Sequence, residues 1–410
     1  MESITFRHTI YKIYKDNIYY LLMNIKRIIE SLPFIFFYLS FFINNCSSTF
    51  LLLIPFVKLF QHLRPITTAP LISKNIEKVE LTPQERYDLS WYVVSETSDL
   101  VEGIPKKVTV WGKNYVLWKT KENEYNALED VCPHRGVELS RGCIINDQIQ
   151  CPYHGFEFSG TGQLTKVPGL KVEQSSSHNV PRFSLVEKHG WLYLNTNPIP
   201  LNISELNMQV LNSNIFVEPE AVDKEMSVVL LNKDFHAYGR VVSENSLDIM
   251  HIGYVHTFGN KERPAPSFED PPKIVGMFHF RTSYLYESGK KSMVKKIFNI
   301  NNIDIDNEFV LPHATVARVK FGDGLVNTVI TSACPVNATS TKLFVKSYRN
   351  FFHGFLYDRM FEKLMEDTLM QDKSVIEGIQ NENMEGKFNM KFDKLQNVYR
   401  TLYKKYVHRL

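Results

Sequence analysis

The sequence predicts an α+β chain in three parts. A hydrophobic extension covers about residues 1–70, a first domain about 88–200, and a second domain about 201–410. Three observations predict this. Within the second domain, "EMSVVLLNKDF", "GMFHFRTSYLY" and "LVNTVITSACPV" are rich in Val, Ile, Phe, Thr and Tyr and read as strands. Helical patterns follow them, from about Phe355 and again from about Met390; Leu364, Met365, Leu369, Val375, Ile376 and Ile379 recur at roughly helical spacing. A chain of 410 residues with 44% apolar content is long enough for two cores plus an extension.

The extension stands apart in composition. No charged residue occurs between Glu30 and Lys58, a run that holds "LPFIFFYLSFF" and "FLLLIPFVKLF" around a polar "NNCSST". A spanning helix needs about 20 mainly apolar residues, so the whole run suffices but each half is short. Basic residues flank both ends (Lys12, Lys15, Lys26 and Arg27 before, Lys58 and Arg64 after), so charge sets no orientation and a shallow hairpin fits equally well. "YKIYKDNIYYLLMNIKRII" reads as a basic, aromatic helix suited to a membrane surface. The expectation is a membrane anchor, with a buried helical extension as the plainer alternative. A cleaved signal peptide fits less well, because the apolar core begins late. "RPITTAP", from Arg64 to Pro70, reads as a linker.

The first domain carries two Pro-containing loops, Cys132-Pro-His134 and Cys151-Pro-Tyr-His154, separated by Arg135 to Gln150. One thiolate and one imidazole from each loop is the ligand set of a Rieske [2Fe–2S] centre, in which two His replace two Cys on one iron. Pro133 and Pro152 stiffen the loops. Gly136 and Gly155 follow the histidines and permit tight turns. A Cys2His2 zinc site usually pairs Cys with Cys and His with His, whereas each loop here mixes them.

On these residues "LEDVCPHRGVELSRGCIINDQIQCPYHGFEFSGTGQLTKVPG" resembles the cluster-binding domain of Rieske non-haem iron oxygenases. "WYVV" at Trp91 and "VTVWGKNYVLWKT" resemble its opening strands, and "VEKHGWLYLN" its closing strand; the likeness covers about residues 88–200. The resemblance implies an all-β Rieske domain. Beyond it, the resemblance implies a helix-grip (START-like) catalytic domain, an antiparallel sheet wrapped against a C-terminal helix.

A cluster domain alone could be a ferredoxin. The second motif is "SENSLDIMHIGYVHTFG", with Asn245, Asp248, His251 and His256. It resembles the iron-binding segment of the oxygenase subunits, especially the vanillate O-demethylase, dicamba monooxygenase and pheophorbide a oxygenase group. Fe(II) that handles O2 takes two His and one carboxylate and leaves positions open. His251 and His256 are the candidate imidazoles. Residues five apart on an ideal helix point about 140° from each other, so the helix must end or distort between them, with Gly253 in the interval. Asp248, three residues before His251, shares its face.

The resemblance places the third ligand on a C-terminal helix, in "LMEDTLMQDKSVIEGIQ". Asp372 matches the family pattern best, with Asp367, Glu366 and Glu377 as rivals; the plainer reading of each is a solvated helix face. The resemblance also gives Asp248 a bridging role between a Rieske His of one subunit (His154 preferred to His134) and an iron-ligand His of its neighbour. That implies a head-to-tail homotrimer.

The remaining features narrow the class. A net charge of +3 and the lack of a basic aromatic-interleaved patch argue against nucleic acid. Cys46, Cys143 and Cys334 read as free, buried thiols, which suits a reducing compartment on the cytoplasmic or organelle side of a membrane. "NINNIDIDNE", Asn299 to Glu308, reads as a loop or lid, or a tolerated insertion. His236, His279 and His313 receive no role. No nucleotide fingerprint or plant-type cysteine cluster is seen, so electrons from NAD(P)H would arrive through a separate reductase or ferredoxin. The expected activity is O2-dependent hydroxylation, demethylation or desaturation of a lipophilic or aromatic molecule. The alternatives are a membrane-bound Rieske electron carrier and a lipid-binding module without turnover.

Overall fold

The computed structural model describes residues 81–407, apart from 173–175, 201–211, 213, 291, 293–295 and 297–298. The expected anchor, the linker and Cys46 lie outside the described residues. Among the described residues no helix is long and apolar enough to cross a membrane.

The described chain opens on α1 (Pro83–Asp88), whose N-terminus is closed by a capping box between Thr82 and Glu85. Strands β1 (Trp91–Glu96), β2 (Lys106–Val110), β3 (Lys113–Lys119) and β4 (Tyr125–Glu129) follow. Four short strands come next: β5 (Cys143–Ile145), β6 (Gln148–Gln150), β7 (Glu157–Phe158) and β8 (Leu164–Lys166). They form their own sheet in the order β5-β6-β7-β8. Strands β9 (Arg182–Lys188) and β10 (Trp191–Ile199) complete a six-stranded antiparallel sheet ordered β1-β10-β9-β4-β3-β2.

Where the sequence suggested one closing strand, "VEKHGWLYLN" makes parts of two. His189 (φ 49°) and Gly190 (φ 89°) both take the left-handed conformation that a tight hairpin turn requires, so the chain reverses there.

The second sheet has eight strands: β11 (Ser227–Phe235), β12 (Phe268–Glu269), β13 (Lys273–Gly276), β14 (His279–Glu287), β15 (Asn302–Val310), β16 (Ala314–Lys320), β17 (Val326–Asn337) and β18 (Ser340–Arg349). The antiparallel order is β11-β18-β17-β16-β15-β14-β12, with β13 also paired to β14. Helices α2 (Gly239–Leu247) and α3 (Ile252–Val255) interrupt the strands, and α4 (Phe355–Ile376) and α5 (Lys394–Tyr406) follow them. Helix α2 packs on β15 to β18 and α4 on β11.

The faces of this sheet divide by residue parity. Phe309, Val345, Leu343 and Ala333 join Met365, Leu369 and Tyr399 under the helices. Val316, Ile330, Phe344 and Tyr348 pack instead with Trp91, Trp191 and Leu194 of the first sheet. The contact is reinforced where Trp111 and Gly112 donate backbone N–H bonds to Pro335 and Val336 (2.8 and 2.7 Å), and where Tyr92 stacks on His313 at 4.4 Å.

One expectation is overturned outright. Most of "NINNIDIDNE" is not a loop but the start of β15, a strand with neighbours on both sides. Its polar residues have partners across the sheet: Asp306 accepts from Ser283 (2.6 Å) and Lys320, and Glu308 from His279 (2.6 Å), Arg281 (2.7 Å) and Arg318. Carboxylates paired this way can be buried, so a polar composition did not prevent a strand.

Candidate functional site

The two Cys/His loops are built alike. In the first, the Cys132 N–H reaches the Val137 carbonyl and the Gly136 N–H returns to the Cys132 carbonyl, both at 2.8 Å. In the second, Cys151 N–H reaches Phe156 at 2.8 Å and Gly155 N–H returns to Cys151 at 3.1 Å. Each glycine sits at positive φ, 74° and 69°, which is why glycine follows each histidine.

The arrangement sorts the ligands by type. Cys132 and Cys151 are buried, whereas His134 and His154 are exposed with ring centroids 4.7 Å apart. Burial, together with the adjoining Cys151, pushes the Cys132 thiol up to about 11, although the His134 and Arg135 N–H groups favour its thiolate. Two buried neighbouring thiolates need a cationic group between them, and backbone donors aimed at sulfur tune such a centre. The donors therefore suit a [2Fe–2S] cluster with its thiolate end inside and its imidazole end outside. Phe156 stacks on His134 at 4.9 Å and Tyr153 lies against His154 at 3.8 Å.

The first loop is braced from below. The fully buried Asp130 accepts from the Ser140 N–H and hydroxyl, both at 2.7 Å. Cys143 lies outside this set; contrary to expectation it is exposed, because β5 is an edge strand of its small sheet. Cys334 is buried, and burial raises its thiol to about 12.

The second centre sits where α2 stops. The helix ends at Asp248, whose φ and ψ (−78°, 124°) are extended, and the Asp248 N–H closes on the Asn245 carbonyl at 3.1 Å. Asp248 Oδ1 then accepts the Met250 N–H at 2.7 Å, turning the chain into α3. His251 caps the start of α3 and His256 its end, where the backbone becomes extended again. The helix ends between the two histidines, as their spacing required, but at Val255 and not at Gly253. Gly253 is required by packing, since a Cβ there would lie 2.6 Å from Pro264 Cβ. Asp248 approaches His251 (4.0 Å to Nδ1) through the turn and not along a shared helix face.

From α4, Asp372 reaches in. Its Oδ1 lies 3.4 Å from Nε2 of both His251 and His256, and those nitrogens are 3.1 Å apart. These three form a group able to hold a single metal ion, with one ligand atom from each within 4.8 Å of the others. The rivals point elsewhere: Asp367 to Lys363 (2.9 Å), Glu366 to Lys233 (3.4 Å) and Glu377 to the His236 N–H (2.7 Å). Asn245 is half-buried on the last turn of α2.

Charge and hydrogen bonding suit a cation at this point. Asp372 Oδ1 and His251 Nδ1 are buried without a hydrogen-bond partner, a costly state that a cation between the three side chains would relieve for the carboxylate. Burial draws His251 down, but Asp372 and Asp248 outweigh it and its pKa is raised; for His256 burial wins and the pKa is lowered. Burial raises Asp248 despite His251 beside it. Two imidazoles and a carboxylate are the facial set of non-haem iron. One partner was missed in the sequence: Gln371 Oε1 lies 3.2 Å from His256 Nδ1 and can hold that ring as an acceptor. Its place next to Asp372 was the available signal, because a ligand imidazole needs an outer partner.

Comparison with known proteins follows the same division. The Rieske [2Fe-2S] domain profile matches residues 90–183, and that of the vanillate O-demethylase oxygenase C-terminal domain matches residues 235–409. Pheophorbide a oxygenase of Arabidopsis thaliana is 26% identical over 294 residues, 64% of this chain and 48% of that protein. The oxygenase component of dicamba O-demethylase of Stenotrophomonas maltophilia is 35% identical over 105 residues, 26% of this chain and 31% of that one. The chain thus spans at most about half the length of these curated relatives. Among solved structures, dicamba monooxygenase bound to 3,6-dichlorosalicylic acid superposes with a TM-score of 0.67 at 22% identity, covering 78% of this chain and 97% of that one. NdmA of Pseudomonas putida CBB5 gives a TM-score of 0.63 at 21% identity over 78% and 91%. The Rieske domain binds a [2Fe–2S] cluster and the family's second domain holds a mononuclear iron. With both profiles in order along one chain, and each over the loops or helices that gather the matching donors, the chain carries a Rieske [2Fe–2S] domain followed by a vanillate O-demethylase oxygenase C-terminal domain.

Proposed function

We propose that the protein is a terminal oxygenase that uses O2 and electrons drawn from NAD(P)H, through a separate reductase or ferredoxin, to oxidise a lipophilic or aromatic small molecule. The observation that carries the reading is the group formed by His251, His256 and Asp372, downstream of a complete set of cluster ligands. When bound, the cluster supplies single electrons and the iron supplies activation of O2.

The chain's own residues divide the remaining work. Cys132, His134, Cys151 and His154 hold the cluster, and its two imidazoles are exposed for electron exchange. His251, His256 and Asp372 would hold the iron. Gln371 fixes the His256 ring, and Asp248 stands by the far nitrogen of His251. Asp248 would bridge His251 of one subunit and a Rieske His of the next, His154 before His134, so the working form is a homotrimer. The helices over the second sheet act as a grip around the substrate. The uncharged run between Glu30 and Lys58 holds the protein at a membrane, in a compartment that keeps its cysteines reduced.

Metal analysis tests this reading. Wild type should carry three irons per chain, and Asp372→Ala should carry two with the cluster spectrum intact. Two irons in both proteins would make it an electron carrier. Product formed from a lipophilic candidate with NADH, O2 and a reductase separates turnover from simple lipid binding.

A further inference from the structure

Asp130, two residues before Cys132, is a carboxylate at 0% exposure whose hydrogen-bond donors are both neutral. Ser140 supplies them, its backbone N–H to Oδ1 and its hydroxyl to Oδ2, each at 2.7 Å. Both oxygens accept, which is the pattern of the ionised form. Among the described residues Asp130 makes no ion pair. The carboxylates around it do: Glu129 pairs with Lys113 at 3.2 Å, and Glu138 with Lys107 and with Arg141 at 3.1 Å.

A buried charge held by neutral donors alone is costly. Bracing the loop does not require it. An amide in the same place would accept the Ser140 N–H and donate to the Ser140 hydroxyl oxygen, and would hold the two ends of the loop without a charge.

The surroundings give the charge another effect. Residues two apart in the chain are separated by at most about 7 Å. Leu128 and Leu139, both at 0% exposure, pack with Cys132 and Cys151 in one apolar cluster, so Asp130 acts on the thiolate end through side chains and not through solvent. A charge at that range is felt far more strongly there than in water. Reduction adds one electron at the [2Fe–2S] group, and the potential of such a group follows the charge, hydrogen bonds and exposure around it.

We infer that Asp130 is a built-in negative charge that lowers the reduction potential of the [2Fe–2S] centre, in addition to bracing its first loop. The outer carboxylate of that loop, Glu138, is balanced by Lys107 and Arg141, whereas the inner one is left unbalanced. The inference rests on the cluster ligands and not on what the electrons go on to do, so its test needs no substrate and stands apart from the oxygenase reading.

The test is a titration of the purified holoprotein with dithionite and mediator dyes at one neutral pH, followed by visible absorbance. Asp130→Asn keeps the brace and removes the charge. Its potential should rise, with an equilibrium constant for reduction about ten-fold larger or more, which is about 59 mV for one electron. Iron content and the oxidised spectrum should match wild type. Glu138→Gln removes a charge of the same sign from the rim of the same loop, and should change that constant less than about two-fold, because solvent and two cations screen it. If Asp130→Asn does not assemble its cluster, Ser140→Ala decides the matter: it takes away one donor, leaves the carboxylate less compensated, and should lower the potential. An unchanged potential in Asp130→Asn at full iron content would make Asp130 a brace alone and overturn the inference. So would an equal shift in Glu138→Gln, or a potential in Ser140→Ala at or above that of wild type.

Discussion

His313 shows how a single buried group sets a pH response. It is fully enclosed, stacks on Tyr92 and interacts with the Trp91 backbone, and burial pulls its pKa down to about 3 from 6.5. The folded state therefore keeps His313 neutral while the unfolded state takes up a proton between those values. Its contribution is complete above about pH 6.5 and is lost as pH falls toward 3. Between pH 7 and 5 this residue alone should cost about 2 kcal/mol of stability. Urea titrations at both pH values would measure the loss, and His313→Gln, which cannot titrate, should lack that part of it. The Asp248 bridge also belongs at this scale. Asp248→Asn should retain both metal centres yet slow electron transfer severely, and a single-turnover rate equal to wild type would remove the bridging role. That the loops of Cys132, His134, Cys151 and His154 lie together was legible because two Cys/His pairs at short spacing are a local signal. Gln371 was not, since its partner lies 115 residues away in sequence.

Helix α3 and strand β15 make the case for elements. Only a few residues long, α3 presents one His at each end and is positioned by the close approach of Gly253 to Pro264. Gly253→Ala should cost about 1–3 kcal/mol through overpacking. It should also release the mononuclear iron while sparing the cluster, as thermal melts and metal analysis would register. In β15 the buried Glu308 accepts from His279, Arg281 and Arg318, so Glu308→Ala leaves Arg281 without its carboxylate and Arg318 with Glu220. A loss of about 3–5 kcal/mol is expected, read from denaturant midpoints. The strands with β-branched and aromatic runs were recognisable from composition. β15 was not, because the cations that make its carboxylates tolerable sit on β14 and β16, and no local pattern shows them. The same limit applied to α2 and α3: the two His required a broken helix, but whether it broke at Gly253 or at Asp248 and His256 depended on turns and packing.

For the molecule as a whole, residues 80–410 cluster as one compact unit although they contain two large sheets. Trp91, Trp191 and Leu194 of the first sheet share a core with Ile330 and Phe344 of the second. Lys346 and Glu218, both buried and 2.7 Å apart, lie in the same region, with the lysine 4.1 Å above the Trp191 ring. Such a contact should make unfolding cooperative. Bleaching of the cluster's visible absorbance and loss of the far-ultraviolet signal should therefore coincide on heating. Two separated transitions would show that the parts melt independently. By itself the sequence determined the two sets of chemistry-bearing residues and their order along the chain, since metal donors at short spacing and apolar periodicity are local properties. The family likeness ranked Asp372 above Asp367, Glu366 and Glu377, but only tertiary structure decided that Asp372 meets His251 and His256. All four carboxylates lie on or at the end of one helix, and only the packing of α4 against the sheet determines which of them faces inward.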